Sequence, residues 1–228
     1  MNLGKRRGTV FLVLPLLLMF SSLLLSSGCQ SLQLKKTYTD ERWICPEYAD
    51  VPLRDKHYEE AIEQHLKVLS EEPDNAVAHY HLGYAYGKLG LYPDEIAQYL
   101  RAVDLGMEKG HLFYNLGWSY MQLEEYLRAE QAFLRAVEIE PDCGENHRGL
   151  GLAYFNQEHY HEAIVSCRRA TTLEPDDADS WHCLALAAAK SDEVGESWNA
   201  VKELRKLDPD YTLDPILIEL FPSEGSKR

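Results

Sequence analysis

Proline and basic residues are both scarce in this chain. Only 10 of its 228 residues are proline, so long stretches contain no helix breaker. Alanine, leucine, glutamate and arginine are frequent instead, and these residues favour helices. Lysine and arginine together number 23 against 37 acidic residues, which gives a net charge of −14. A chain this negative repels phosphate backbones, which argues against nucleic acid as a partner.

The sequence also lacks a recognisable catalytic or metal-binding pattern. Nine histidines are present, but the His-Tyr-His triplets at 79–81 and 159–161 place their histidines about 200° apart on a helix, a poor arrangement for chelation. No Ser-His-Asp or Cys-His set emerges from the spacing. We therefore predict a non-catalytic protein without metal, cofactor or small-molecule substrate.

Apolar residues are concentrated at the N-terminus. Basic residues at 5–7 precede an apolar run at 10–25, then the small residues 26–28 and Cys29. This order is typical of a secretory signal. Its ending resembles the lipobox of bacterial lipoproteins, although Leu25 lies one position earlier than usual. The resemblance implies cleavage after residue 28 and acylation of Cys29. The alternative is an uncleaved signal anchor, for which the run is a little short of the ~20 residues that span a bilayer.

A polar segment follows the proposed acylation site. Residues 29–52 include Pro46 and Pro52, which argue against a continuous helix. We predict that this segment is a tether between the lipid and the folded domain.

The remainder of the chain repeats with a period of 34 residues. Leucine followed by a small residue recurs at 82–83, 116–117, 150–151 and 184–185. Tyrosine recurs at 58, 92, 126 and 160, and Ala102, Ala136 and Ala170 keep the same step. Prolines end most units, at 73, 141, 175 and 209. At 95, glutamate replaces the alanine found at 61, 129 and 163.

This pattern resembles the tetratricopeptide repeat family. The resemblance implies an all-α solenoid of antiparallel helix pairs over residues 53–211, because no unit buries its apolar face alone. A half repeat at 53–75 precedes full repeats at 76–109, 110–143, 144–177 and 178–211. In this arrangement Gly117 lies where two helices touch. We predict that residues 212–228 supply a capping helix and tail, since 214–221 are too apolar to remain exposed.

The resemblance also implies a binding surface. In the family, one arc of each first helix lines a concave groove that takes peptides. We predict that Tyr114 projects outward on this arc, as does Tyr80. Trp118 fits either the groove or the packing between helices. The predicted partner-binding residues are Tyr80, His81, Tyr84, Tyr114, Asn115, Trp118, Met121, Arg148, Leu152 and Phe155.

Together these features predict a lipid-anchored scaffold or assembly factor of the bacterial cell envelope that binds a protein or peptide. Lipid-anchored members of the family serve as pilotins of type IV pilus secretins, as outer-membrane assembly factors or as scaffolds for cell-wall hydrolases. Gln30 after the cysteine favours the outer membrane, facing the periplasm. The alternative is a signal-anchored assembly factor of the inner membrane. Cys45, Cys143, Cys167 and Cys183 allow three disulfide pairings, and the spacing does not choose among them.

Overall fold

The computed structural model describes residues 45–222, and this part of the chain is entirely helical, without a strand. The all-α prediction is therefore confirmed. The eleven helices of the described part are α1 (Glu47–Arg54), α2 (Tyr58–Glu71), α3 (Ala76–Lys88), α4 (Tyr92–Asp104), α5 (Gly110–Gln122), α6 (Tyr126–Ile139), α7 (Gly144–Asn156), α8 (Tyr160–Leu173), α9 (Ala178–Lys190), α10 (Val194–Leu207) and α11 (Pro215–Leu220).

The helices are stacked in chain order. Each helix from α1 to α9 packs against the next, and odd-numbered neighbours such as α5 and α7 also touch. All of these contacts join elements that are close in sequence, which is the organisation of a solenoid. Successive odd-numbered helices therefore lie side by side and form a continuous surface.

One backbone conformation recurs at every turn inside a helix pair. Lys56, Gly90, Glu124, Glu158 and Asp192 are spaced 34 residues apart and all have positive φ, between 59° and 74°. This left-handed conformation reverses the chain after the first helix, and it costs a non-glycine residue free energy. Only one of the five positions is glycine.

The predicted glycine contact exists and is tighter than expected. The ring of Phe133 on α6 lies between Gly117 on α5 and Gly149 on α7. A methyl group on Gly117 would approach ring carbons of Phe133 to 2.8 Å. Phe133 is fully buried, so its ring has little room to move.

The predicted tether is wrong for residues 47–52. These residues belong to α1, which buries Ala49, Pro52 and Leu53. Pro52 lies inside the helix. Proline cannot donate a backbone hydrogen bond, but α1 ends two residues later, so the missing bond disturbs only the last turn of a short helix. Burial of the apolar face outweighs it. The unit before Ala76 is thus a complete helix pair, α1 and α2, and not a half repeat.

The C-terminal end of the stack is covered by α11. Asp214 accepts a hydrogen bond from the amide of Ile216 at 3.0 Å, and Pro215 begins the helix. Leu217 is fully buried, and the ring of Phe221 packs 5.0 Å from that of Trp198 on α10. A disulfide between Cys167 and Cys183 joins α8 to α9.

None of the helices in the described range, residues 45–222, has both the length and the apolar character to cross a bilayer. The predicted signal segment and Cys29 lie outside that range.

Candidate functional site

A cavity opens between α3, α4 and α5, on the face where the sequence predicts partner binding. Its volume is about 330 Å³. Tyr84 and Lys88 from α3, Tyr92 from α4, and Tyr114 and Trp118 from α5 line its walls. The carboxyl group of Glu95 also lines it. The cavity therefore combines several aromatic rings with one acidic and one basic group.

Glu95 has room for its carboxyl group because Gly87 faces it. A methyl group on Gly87 would lie between 2.2 and 2.6 Å from the carboxyl atoms of Glu95. In the later repeats the positions of Gly87 are occupied by Met121, Phe155 and Ala189, and the positions of Glu95 by Ala, Ala and Ser. Only the repeat that forms the cavity has glycine at this position of its first helix and a large side chain at the facing position of its second helix.

The surroundings of Glu95 shift its acidity towards neutral pH. Burial raises the pKa of Glu95 to about 7, against the opposing effects of the Ser119 and Tyr99 hydroxyls and of Lys88. Only 7% of the residue is exposed. The ammonium group of Lys88 lies 4.9 Å from the centre of the Tyr84 ring, in cation–π contact at the edge of the cavity.

The prediction that Tyr80 and Tyr114 project outward is wrong. They are 9% and 8% exposed, respectively. The Tyr80 ring stacks on Tyr99 at 5.6 Å, and the Tyr114 ring meets Phe133 edge to face at 5.8 Å. The helix arc alone suggested an outward position, but each ring packs against an aromatic ring on the second helix of its own repeat. Tyr114 still lines the cavity with the uncovered part of its ring.

The other predicted residues have three different environments. Trp118 is half-buried; it packs 5.9 Å from the Phe133 ring and also lines the cavity. Asn115 donates a hydrogen bond to the Tyr80 hydroxyl at 3.3 Å. Tyr84 and Asn115 line the same cavity, whereas Met121, Leu152 and Phe155 are half-buried elsewhere on the odd-numbered helices.

Two predicted polar residues are engaged within the fold. Arg148 Nε lies 3.4 Å from Asp177 Oδ2, and its side chain is 15% exposed. His81 is buried, with its Nδ1 2.9 Å from Asp50 Oδ1. Partner contact by these ten residues stays a prediction, and the structure brings only Tyr84, Tyr114, Asn115 and Trp118 together around one cavity.

Family models match two parts of the stack. The model described as TPR repeat matches residues 56–90, and the model described as Tetratricopeptide repeat matches residues 114–180. Residues 56–90 and 114–180 therefore match models of tetratricopeptide repeats. The predicted resemblance is confirmed for the repeats, and TPR units of this kind are interaction modules in general, without catalytic chemistry of their own.

Solved TPR structures share the fold. YrrB, described as a TPR protein with an unusual peptide-binding site, aligns at 23% identity over 76% of this chain and 88% of its own, with a TM-score of 0.68. MamA aligns at 22% identity over 74% of this chain and 95% of its own, with a TM-score of 0.67. MamA 41-end from Desulfovibrio magneticus RS-1 aligns at 20% identity over 72% and 92%, with a TM-score of 0.68. No curated protein sequence matches the chain.

The sequence prediction missed the acidic side of the cavity. Glu95 was recognisable as a departure from the TPR pattern, and the matching departure at Gly87 would have shown that the two positions exchange size. Ser119 is a further departure, because the other repeats carry alanine at 85, 153 and 187. Tyr92 gave no such signal, because tyrosine also stands at 58, 126 and 160.

Proposed function

We propose that this protein is a TPR adaptor that binds an extended segment of a partner protein across the cavity between α3 and α5. The observation that supports this most is the buried carboxyl group of Glu95 among aromatic rings. Burying an acid without a basic partner costs free energy. The cavity beside Glu95 leaves space for a positively charged group of a partner protein.

The chemistry of the cavity favours a lysine or arginine side chain of the partner. Aromatic faces attract cations, and the attraction grows when water is excluded. A carboxylate adds a charge-assisted hydrogen bond. The rings of Tyr84 and Trp118 with the carboxyl group of Glu95 provide both. Lys88 is exposed at the rim, so its flexible side chain can leave when a partner cation enters.

The charge of the whole protein supports the same partner chemistry. With a net charge of −14, the chain attracts basic segments at long range and speeds their encounter. The similarity to YrrB, whose description mentions a peptide-binding site, is consistent with a peptide ligand on this fold.

We further propose that the adaptor is held at the bacterial cell envelope by acylation of Cys29, at the outer membrane and facing the periplasm. The signal-like segment and the small residues before Cys29 support this. Two or more acyl chains give stable anchoring, where one is marginal. A signal-anchored factor of the inner membrane is the alternative.

Site-specific photocrosslinking tests partner binding at the cavity. A photoreactive amino acid replaces Gln122, which lines the cavity and is exposed, or Val165 on α8, which is 64% exposed, as the control. We expect one discrete crosslinked protein from position 122 in living cells and not from 165. The crosslink should weaken when Glu95→Gln is added. An equal pattern from both positions would contradict the proposal.

Mass spectrometry of the N-terminus tests the anchor separately. We expect mature protein that begins with an acylated Cys29, and Cys29→Ala should leave the precursor uncleaved. A mature-sized, membrane-bound Cys29→Ala protein would contradict lipidation and leave the cavity proposal unaffected.

A further inference from the structure

Four side chains with metal-binding atoms converge at the N-terminal end of the stack. They are Cys45, Asp50, His65 and His81, and one ligand atom from each lies within 4.8 Å of the other three. Cys45 precedes α1, Asp50 belongs to α1, His65 to α2 and His81 to α3. Three of the four residues are buried, and Asp50 is half-buried.

The atoms at the centre of this cluster lack hydrogen bonds. Asp50 Oδ1, His65 Nε2 and His81 Nδ1 are buried without a hydrogen-bond partner in the described part of the chain. The two nitrogens lie 3.4 and 2.9 Å from the same Asp50 oxygen, but the groups are not aligned for hydrogen bonds. Three such atoms facing one another are rare in proteins, and an unfilled ligand shell explains them.

His65 is already oriented as a metal ligand. Its Nδ1 lies 2.8 Å from the carbonyl oxygen of Ala61. A proton on Nδ1 that is donated to this carbonyl leaves the lone pair of Nε2 pointing at the cluster. This arrangement, with the other ring nitrogen bonded to a backbone carbonyl, is typical of histidine ligands.

We propose that Cys45, Asp50, His65 and His81 bind a zinc ion. One thiolate, one carboxylate and two neutral imidazoles form a four-ligand set that suits tetrahedral Zn²⁺. Zinc–ligand bonds of 2.0–2.3 Å place neighbouring ligand atoms about 3.3–3.8 Å apart in a tetrahedron. The 3.4 Å separation of His65 and Asp50 matches this spacing, and the 2.9 Å separation of His81 and Asp50 needs a small expansion. The two negative ligands balance the ion, so the buried site is neutral.

The site is structural. All four positions are filled by protein side chains, which leaves no open position for substrate. The ion would tie the segment before α1 to the first three helices. Zinc binding is then part of the free energy that folds the N-terminal helix pair. The sequence did not predict it because its ligands come from different elements, and the His-Tyr-His triplet contributes only one of its two histidines.

Metal analysis of the full-length, untagged protein in detergent tests the proposal. After equilibration with Zn²⁺ and removal of free ion, we expect about one zinc per chain. Cys45→Ser should reduce the zinc affinity at least ~10-fold, because loss of even a residue that only hydrogen-bonds to a metal ligand commonly has an effect of this size. His159→Gln changes an exposed histidine outside the cluster and should retain the zinc. A chain that retains no zinc, or a Cys45→Ser variant that binds it as tightly as wild type, would overturn the proposal.

Cobalt substitution gives a readout that needs no variant. With Co²⁺ alone, the wild-type protein should develop the intense visible absorption of a tetrahedral ion and a near-ultraviolet thiolate charge-transfer band. Weak octahedral absorption without the charge-transfer band would overturn the proposal, even if every ligand variant failed to fold.

Discussion

The ring of Phe133 packs against Gly117 so closely that a single added methyl group would lie 2.8 Å from its carbon atoms. Gly149 confines the same ring from the next repeat. One side chain therefore fixes the spacing of three helices.

Gly117→Ala should destabilise the protein despite the better helix propensity of alanine. Overpacking a confined ring costs about 1–3 kcal/mol, whereas the propensity gain is about 1 kcal/mol at most. Gly195→Ala is the matched control, because Gly195 lies in α10 with open space around it, and it should stabilise. Urea unfolding measures both. Equal effects of the two substitutions would contradict the contact.

Glu124→Gly should stabilise the turn between α5 and α6. Glu124 has a φ of 59°, a conformation that costs a residue with a Cβ roughly 1 kcal/mol. Conversely, Gly90→Ala places a Cβ at φ 74° in the equivalent turn and should destabilise by a similar amount. Thermal melting of the two variants checks this, and opposite signs are the expected result.

The Cys167–Cys183 disulfide should contribute to the stability of the C-terminal repeats. It closes a loop with a sequence separation of 16, for which the chain-entropy model gives about 3 kcal/mol. The double substitution to serine should lower the free energy of unfolding by roughly this amount. Unchanged urea midpoints for oxidised and substituted protein would show that the bond is not formed.

Glu95 should make the stability fall as pH rises from about 4.5 to 7. Its pKa is about 7 in the folded protein, against 4.5 for an ordinary glutamate, so the folded state binds more protons in this window. Glu95→Gln should therefore stabilise the protein at pH 8, by about 2–3 kcal/mol, and by less at pH 5. Asp94→Asn, at the exposed neighbour, should change little at either pH. A Glu95→Gln effect independent of pH would contradict the burial of the acid.

The sequence predicted the solenoid because its pattern is local. Leucine and glycine recur every 34 residues at 82–83, 116–117 and 150–151, and each repeat contacts only adjacent units. The structure overturned predictions that depend on how the helices pack against one another. The helical period of α5 placed Tyr114 on the outer arc but could not show that its ring packs against Phe133 on α6. The prolines at 46 and 52 suggested a tether because their effect on the chain is local, whereas the burial of Ala49 and Leu53 in α1 depends on the stack.

Binding of defined peptides tests the central claim most directly. Peptide libraries with lysine or arginine fixed at the central position, and matched libraries with glutamate or glutamine there, are bound to the full-length protein and to Glu95→Gln. The account predicts binding of the basic libraries to the wild type at pH 8. That binding should fall about 10-fold at pH 6, because most Glu95 is then protonated. It should also weaken in Glu95→Gln by ~30-fold, the size of a 2 kcal/mol hot spot. Equal binding of acidic and basic libraries, or affinity unchanged by Glu95→Gln, would contradict the account.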